Sequence, residues 1–156
     1  MRLTAISDSH GRKGNVFDII EKNIENTDYF LCLGDCRNND DFEDAMLYFG
    51  DKLHLISVRG NTDWSLAEPE EREFKLSGKR ILMCHGHTYN VKATYLSLLR
   101  RARNIKADIA FFGHTHQPHI SCENGIYIVN PGTASLGYYS IVDINSEKIE
   151  CRNLKL

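Results

Sequence analysis

Five short polar blocks hold the residue types that can do chemistry: Asp8-Ser9-His10, Gly34-Asp35, Gly60-Asn61-Thr62-Asp63, His85-Gly86-His87 and Gly113-His114-Thr115-His116. Each directly follows a short apolar run, so each falls just past the end of a candidate strand. In α/β sheets, sites form in the crevice beyond the carboxyl ends of the strands. The blocks would bring carboxylate oxygens, imidazole nitrogens and a carboxamide to one region, without a thiolate. That donor set suits manganese, iron, zinc, nickel or cobalt better than a closed structural zinc site. It also exceeds what one ion takes. Two ions roughly 3.5–4 Å apart, sharing a carboxylate, use it naturally in a hydrolase that activates water and holds an oxyanion.

Singly, the blocks carry less. Asp-x-His after a strand can cap a helix, and Gly-Asn-Thr-Asp is an ordinary tight turn. Paired histidines around glycine are harder to explain by packing. Five of the seven histidines lie in the blocks, while His54 and His119 read as structural or surface groups.

The elements that must position these blocks are legible as periodicities. Apolar runs at Leu3 to Ser7, Tyr29 to Leu33, Leu53 to Val58 and Ile109 to Phe112 predict strands. Helical spacing predicts helices over Asn15 to Ile24, Asp41 to Phe49 and Thr94 to Ile105, with Val16, Ile19, Ile20 and Ile24 on one buried face and Tyr95, Leu98, Leu99 and Ala102 on another. Hairpins are expected around Ser77-Gly78 within Glu71 to Cys84, around Asn124-Gly125 within Ile120 to Asn130, and around Asn145-Ser146 between Tyr139 to Asp143 and Lys148 to Leu154. The first two-thirds alternate strand and helix and the end is antiparallel. This is an α/β pattern with mixed sheets, two packed sheets being favoured over one.

Composition sets the outer bounds. The chain has 156 residues, 42% hydrophobic and 26% charged, with a net charge of −2. One domain spanning residues 1–156 is expected, with a substantial core. The charge gives no global pull toward nucleic acid or an anionic membrane. No apolar run reaches the roughly 18 residues of a membrane span, and Asp8 ends the first run too early for a signal peptide. Of the five cysteines, Cys32, Cys84 and Cys122 sit in apolar or alternating runs and read as small buried hydrophobes; Cys36 and Cys151 complete the set without a CxxC. A cytoplasmic, reducing setting is expected.

The ordered set Asp8-x-His10, Gly34-Asp35, Gly60-Asn61-x-Asp63, His85-Gly86-His87 and Gly113-His114-x-His116 resembles the calcineurin-like metallophosphoesterase superfamily. The small size and Asn130-Pro131-Gly132-Thr133 make it most similar to the small YfcE-like phosphodiesterase branch. The resemblance covers Asp8 to about Gly132 and implies a four-layer α/β/β/α sandwich, with two mixed β-sheets flanked by helices, and two divalent metals, manganese foremost. Carried onto matching positions, Asp8, His10, Asp35 and His116 would hold one ion. Asn61, His85 and His114 would hold the other, with Asp35 bridging. Thr62 departs from the pattern: the superfamily usually has His there, a candidate general acid, and the small branch often has Cys. Threonine does not titrate near neutrality, so either the leaving group needs no proton or another group such as His87 supplies it.

The expected function is hydrolysis of a small-molecule phosphodiester by a hydroxide bridging the two ions, with Asp35, Asn61 and His87 catalytic and His87 and Asn61 toward the substrate. Activity should fall as the imidazoles protonate below roughly pH 6. A rival reading is a non-catalytic interaction scaffold of the same fold, like retromer's small subunit; it is disfavoured because no ligand position is eroded. A nuclease is disfavoured too. Arg100, Arg101, Arg103 and Lys106 form a basic cluster, but basic residues late in a helix complement its dipole, and no aromatic interleaving accompanies them. Ser135 lacks nucleophile-elbow spacing and reads as a loop residue. Trp64 either lines a substrate pocket or packs inside. A homo-oligomer is left open, with Glu68 to Glu71 as one candidate surface.

Overall fold

The computed structural model describes every residue except Leu66 and Ser146. The strands are β1 (Arg2–Ile6), β2 (Tyr29–Cys32), β3 (Leu55–Ser57), β4 (Glu71–Leu76), β5 (Lys79–Cys84), β6 (Ile109–Phe111), β7 (Pro118–Glu123), β8 (Ile126–Pro131), β9 (Tyr138–Ile144) and β10 (Ile149–Lys155). The α-helices are α1 (Lys13–Asn23), α2 (Glu43–Phe49) and α3 (Leu96–Asn104). One five-stranded sheet has the order β10-β9-β1-β2-β3 and the other β4-β5-β6-β8-β7. Both are mixed: β1, β2 and β3 run parallel, as do β5, β6 and β8, with antiparallel β9–β10, β4 and β7 completing them.

Strand alternation builds the layers. On β1, Leu3 and Ala5 point between the sheets and join Leu31, Val58, Met83, Ile109, Phe111, Val129 and Val142. Ile6 points the other way, onto Val16, Ile19 and Ile20 of α1 with Phe30 and Phe42. On the far side, Leu82, Ala110 and Ile128 pack against Leu98 and Ala102 of α3. The result is the expected α/β/β/α sandwich with a core in each of three interlayers. Tyr95 and Leu99 of the expected α3 face are half-buried.

Turn chemistry fixes two hairpins. Ser77 and Gly78 both have positive φ (47° and 78°), as do Asn124 and Gly125 (53° and 83°). Two consecutive left-handed residues give the turn whose twist matches paired strands. At the third expected hairpin, Asn145 Oδ1 accepts from the N–H groups of Glu147 and Lys148 (2.9 and 2.8 Å), and Ser146 lies outside the described residues.

Two expectations need correction. The second helix begins at Glu43 and not at Asp41, because a 3₁₀ turn over Asp40–Phe42 precedes it. Asp41 is buried, and its Oδ2 accepts from the Ser9 hydroxyl and the Gly11 N–H, both at 2.7 Å. Cys122 is exposed on edge strand β7, whereas Cys36 is buried, as are Cys32 and Cys84. The alternating run led to an expectation of burial for Cys122, and the edge position of β7 leaves it exposed.

Candidate metal centre

The loops after β1, β2, β3, β5 and β6 meet. Asp8 N–H donates to Gly34 O (3.1 Å), His10 N–H to Asp35 O (3.2 Å) and Gly113 N–H to His85 O (2.9 Å). The bond from His85 Nδ1 to Leu33 O (2.7 Å) ties the end of one sheet to the end of the other. Asp8, His10, Asp35, His114 and His116 all have φ between 46° and 65°. Left-handed backbone in non-glycine residues costs of order 1–3 kcal/mol each and persists only where surroundings impose it. Here the turns aim five donor side chains inward.

Two glycines are required by proximity. A Cβ on Gly60 would overlap Asp35 Oδ1 and lie 2.8 Å from its Cγ. A Cβ on Gly113 would overlap Ser7 Oγ and lie 2.8 Å from Asp8 Oδ2.

The donors form two adjoining groups, Asp8 with His10 and His116, and Asp35 with His85 and His114, each with ligand atoms within 4.8 Å of one another. In the first, His116 Nε2 lies 3.1 Å from Asp8 Oδ1 and 3.2 Å from His10 Nε2. In the second, His85 Nε2 lies 3.4 Å from Asp35 Oδ2 and 3.2 Å from His114 Nδ1. His85 Nε2 is also 3.9 Å from Asp8 Oδ1, which joins the groups.

The donors fit divalent cations. Asp8 is fully buried, and its Oδ2 takes bonds from Ser7 Oγ (2.6 Å) and His114 N–H (3.1 Å). Among the described residues its Oδ1 has no well-aligned hydrogen-bond donor, although His116 Nε2 lies 3.1 Å away. A buried carboxylate oxygen left so is costly unless a positive charge meets it. His85 Nδ1 must donate to the Leu33 carbonyl, so a neutral His85 ring turns its Nε2 lone pair toward two carboxylates. A proton or a metal cation between them relieves that arrangement.

The protonation equilibria reflect the same tension. Burial opposes charging His85, but its bond to Asp35 and the charges of Asp8 and Asp35 prevail and raise its pKa. Burial works against an ionised Asp35 as well, yet the His85 ring and the Thr62 N–H hold it far below the usual carboxylate range. The Asp8 carboxylate, 3.1 Å from its Nε2, raises His116 against the opposing effect of burial. Burial, aided by His85, pushes His114 down to about 4.

The turn after β3 is organised by Asp63. Its Oδ2 accepts from the N–H groups of Asp35 (2.8 Å) and Gly60 (2.7 Å), and its Oδ1 from Asn38 N–H (2.8 Å). Thr62 N–H donates to Asp35 Oδ1 (2.9 Å). Asn61 and Thr62, between these anchors, are exposed. Sequence reasoning noticed Asp63 only as part of a motif; its backbone clamp gives no periodic signal. His87 is half-buried, with ring centroids 5.5 Å from His85 and 6.1 Å from His114 and an unpartnered Nδ1. Burial and then the charge of His85 lower its pKa. His54 bonds the Asp28 carbonyl and His119 packs on Tyr95, apart from both groups.

Arg101 of the basic cluster and the acidic stretch have internal partners. Arg101 pairs with Glu71 (2.7 Å) and with Glu73. Glu68 pairs with Arg72 (2.7 Å) and Glu70 with Arg59 (3.0 Å), so Glu68, Glu70 and Glu71 of the acidic stretch are each matched by an arginine.

Two facing mixed sheets with an Asp/His cluster at their joined ends define an α/β/β/α protein with a metal-type site. Residues 1–146 match the calcineurin-like phosphoesterase superfamily domain, and the chain belongs to that superfamily. A probable metallophosphoesterase of Bacillus subtilis, YsnB, is 28% identical over 136 residues, 87% of this chain and 76% of that protein. In fold, a predicted phosphoesterase from Streptococcus pneumoniae matches with a TM-score of 0.82 at 24% identity, covering 99% of this chain and 88% of that one. A novel archaeal phosphodiesterase matches with a TM-score of 0.80 at 21% identity over 100% of both chains. Vps29 from Entamoeba histolytica, in a zinc complex, matches with a TM-score of 0.76 at 20% identity over 99% of both.

Proposed function

We propose that the chain, acting as a single cytoplasmic domain, hydrolyses a small-molecule phosphodiester with two divalent ions as cofactors. Manganese is the first choice, with iron, zinc, nickel and cobalt as alternatives. The observation that carries this reading is the pair of adjoining donor groups around the buried Asp8 Oδ1, which has no well-aligned donor among the described residues. Asp8, His10 and His116 would hold one ion and Asn61, His85 and His114 the other, with Asp35 shared. When bound, such ions acidify a water and offset charge on the phosphoryl oxygens.

The chain's own residues supply position and polarity. Asp35 is fixed through its N–H by Asp63 and through Oδ1 by Thr62 N–H, so its remaining oxygen has one direction to face. Asn61 offers a carboxamide and His87 an imidazole beside the cluster, and both are assigned to the substrate. Thr62 brings no proton to a leaving group near neutrality. Diesters whose alkoxide departs readily are therefore favoured.

The fold's scaffold use, as in retromer's small subunit, is less favoured because every expected ligand position keeps a donor side chain. The test is turnover of a chromogenic phosphodiester with manganese by the purified chain, then by Asp35→Asn and His85→Ala. Loss in both variants supports the reading, and unchanged rates in both would sink it. No metal-dependent turnover in the parent chain would favour the scaffold.

A further inference from the structure

We infer that Trp64 is a stacking platform for a nucleobase, which makes a small nucleoside phosphodiester the substrate class; this rests on the phosphodiesterase reading above. Trp64 is the chain's sole tryptophan and is 90% exposed. A packing role is thereby excluded. An indole left in water three residues past Asn61 has a face available to a ligand.

The backbone beneath it is held on both sides. The Asp63 carboxylate gathers three N–H groups, two from the loop after β2 and one from its own turn. Ser65 N–H donates to Asn38 Oδ1 at 2.7 Å. The indole thus stands on an anchored rim of the cluster, and little ordering cost is left for binding. The same Asn38 lines an open groove of about 440 Å³ with Asn39, Asp40, Glu43, Met46 and Leu47, and its two carboxylates suit the neutral base arm rather than the phosphate. Leu47 is 80% exposed and Met46 49%, so an apolar wall adjoins the turn that carries Trp64. That volume is of the size small-molecule sites use.

An indole selects for π-faces, and base–aromatic stacking is sequence-tolerant. The binding partner is then planar and aromatic on one arm of the phosphodiester. A polynucleotide fits poorly: the net charge is −2, and Arg101 of the basic cluster is committed to Glu71 and Glu73. Hydrolysis adds water across one P–O bond: the phosphorus gains the water oxygen, and the departing alkoxide gains the proton. A strained cyclic diester loses its alkoxide most readily, which suits a chain with threonine at position 62.

The experiment compares adenosine 2′,3′-cyclic phosphate with glycerol 1,2-cyclic phosphate, two cyclic diesters that differ in the base and its sugar. Manganese-loaded parent, Trp64→Ala and Trp64→Phe chains are followed by phosphorus NMR. The expected result is a KM about ten-fold lower for the adenosine ester in the parent chain, falling to near equality in Trp64→Ala and largely kept in Trp64→Phe. Separately, adenosine monophosphate should quench the fluorescence of the single tryptophan, and glycerol phosphate should not. An unchanged KM ratio in Trp64→Ala, or no quenching, overturns the inference. If neither ester is turned over, the phosphodiesterase reading fails, while the quenching still decides whether a base stacks. Binding of an oligoadenylate far tighter than the mononucleotide overturns the small-substrate assignment.

Discussion

Replacing Asp63 with alanine removes one carboxylate and strands three backbone donors, those of Asp35, Asn38 and Gly60, now bonded at 2.8, 2.8 and 2.7 Å. A hydrogen bond to a charged group contributes about 1.5–3 kcal/mol. Asp63 is only half-buried, so water recovers part of each, and neighbouring bonds do not add fully. A total of about 3 kcal/mol follows, which for a domain of this size lowers the thermal midpoint by roughly 6–12 °C. Because the Asp35 backbone loses its anchor, manganese affinity should fall roughly 10- to 100-fold, the usual effect of removing support behind a ligand. Asp63→Asn keeps one acceptor oxygen and should lose about half as much stability. Denaturant melts of the metal-free chain followed by circular dichroism, with a manganese titration, measure both quantities. Asp63→Ala within about 0.5 kcal/mol of the parent, the ordinary range for a surface change, with unaltered manganese affinity, would refute the clamp.

Glycine substitutions should split by location. Gly60→Ala drives a methyl into Asp35 and should cost about 1–3 kcal/mol and weaken metal binding, whereas Gly14→Ala in α1, with nothing within 4 Å, should gain about 0.5–1 kcal/mol; thermal melts of the two variants check the contrast. Phe111→Ala, fully buried between the sheets, should cost about 3–5 kcal/mol by denaturant titration. The raised pKa values of His85 and His116 add stability that is full below their ordinary value and is lost as pH rises through the folded value. The metal-free chain should therefore melt lower as pH climbs past neutrality, while manganese binds tighter and releases protons over the same window. His114, near 4, stays neutral there and contributes none of that release. Calorimetric titration in buffers of different ionisation heat checks the release, and its absence near pH 6.5 would contradict the assignment.

The strand ends were legible because a buried strand must be an apolar run and its loop must not be. Ile6 to Asp8, Leu33 to Asp35 and Phe112 to His114 each make that switch within two residues. The hairpins at Ser77-Gly78 and Asn124-Gly125 were legible from turn chemistry for the same local reason. Sheet order was not, since β8 pairs with β6 across the intervening β7, and such pairing is chosen by long-range burial. The splitting of the apolar strands between a central core and two outer ones was equally hidden, because Leu3 and Ile6 look alike in composition and differ only in face. The left-handed backbone at Asp8, His10, Asp35, His114 and His116 was only faintly legible, because Asp and His tolerate that region better than most side chains but adopt it only where a turn demands it. Asp63 and Asp41 act on backbone N–H groups from distant segments, a partnership that spacing does not encode.

The central claim is that two donor groups at the joined sheet ends hold two divalent ions. Its most direct test is the metal stoichiometry of the purified chain after manganese loading and exhaustive dialysis, read by elemental analysis beside a folded Asp35→Asn variant. Two ions per chain in the parent, and fewer in the variant that lacks the shared carboxylate, are the predicted result. A folded parent chain that retains none, or a variant that retains both, would contradict it.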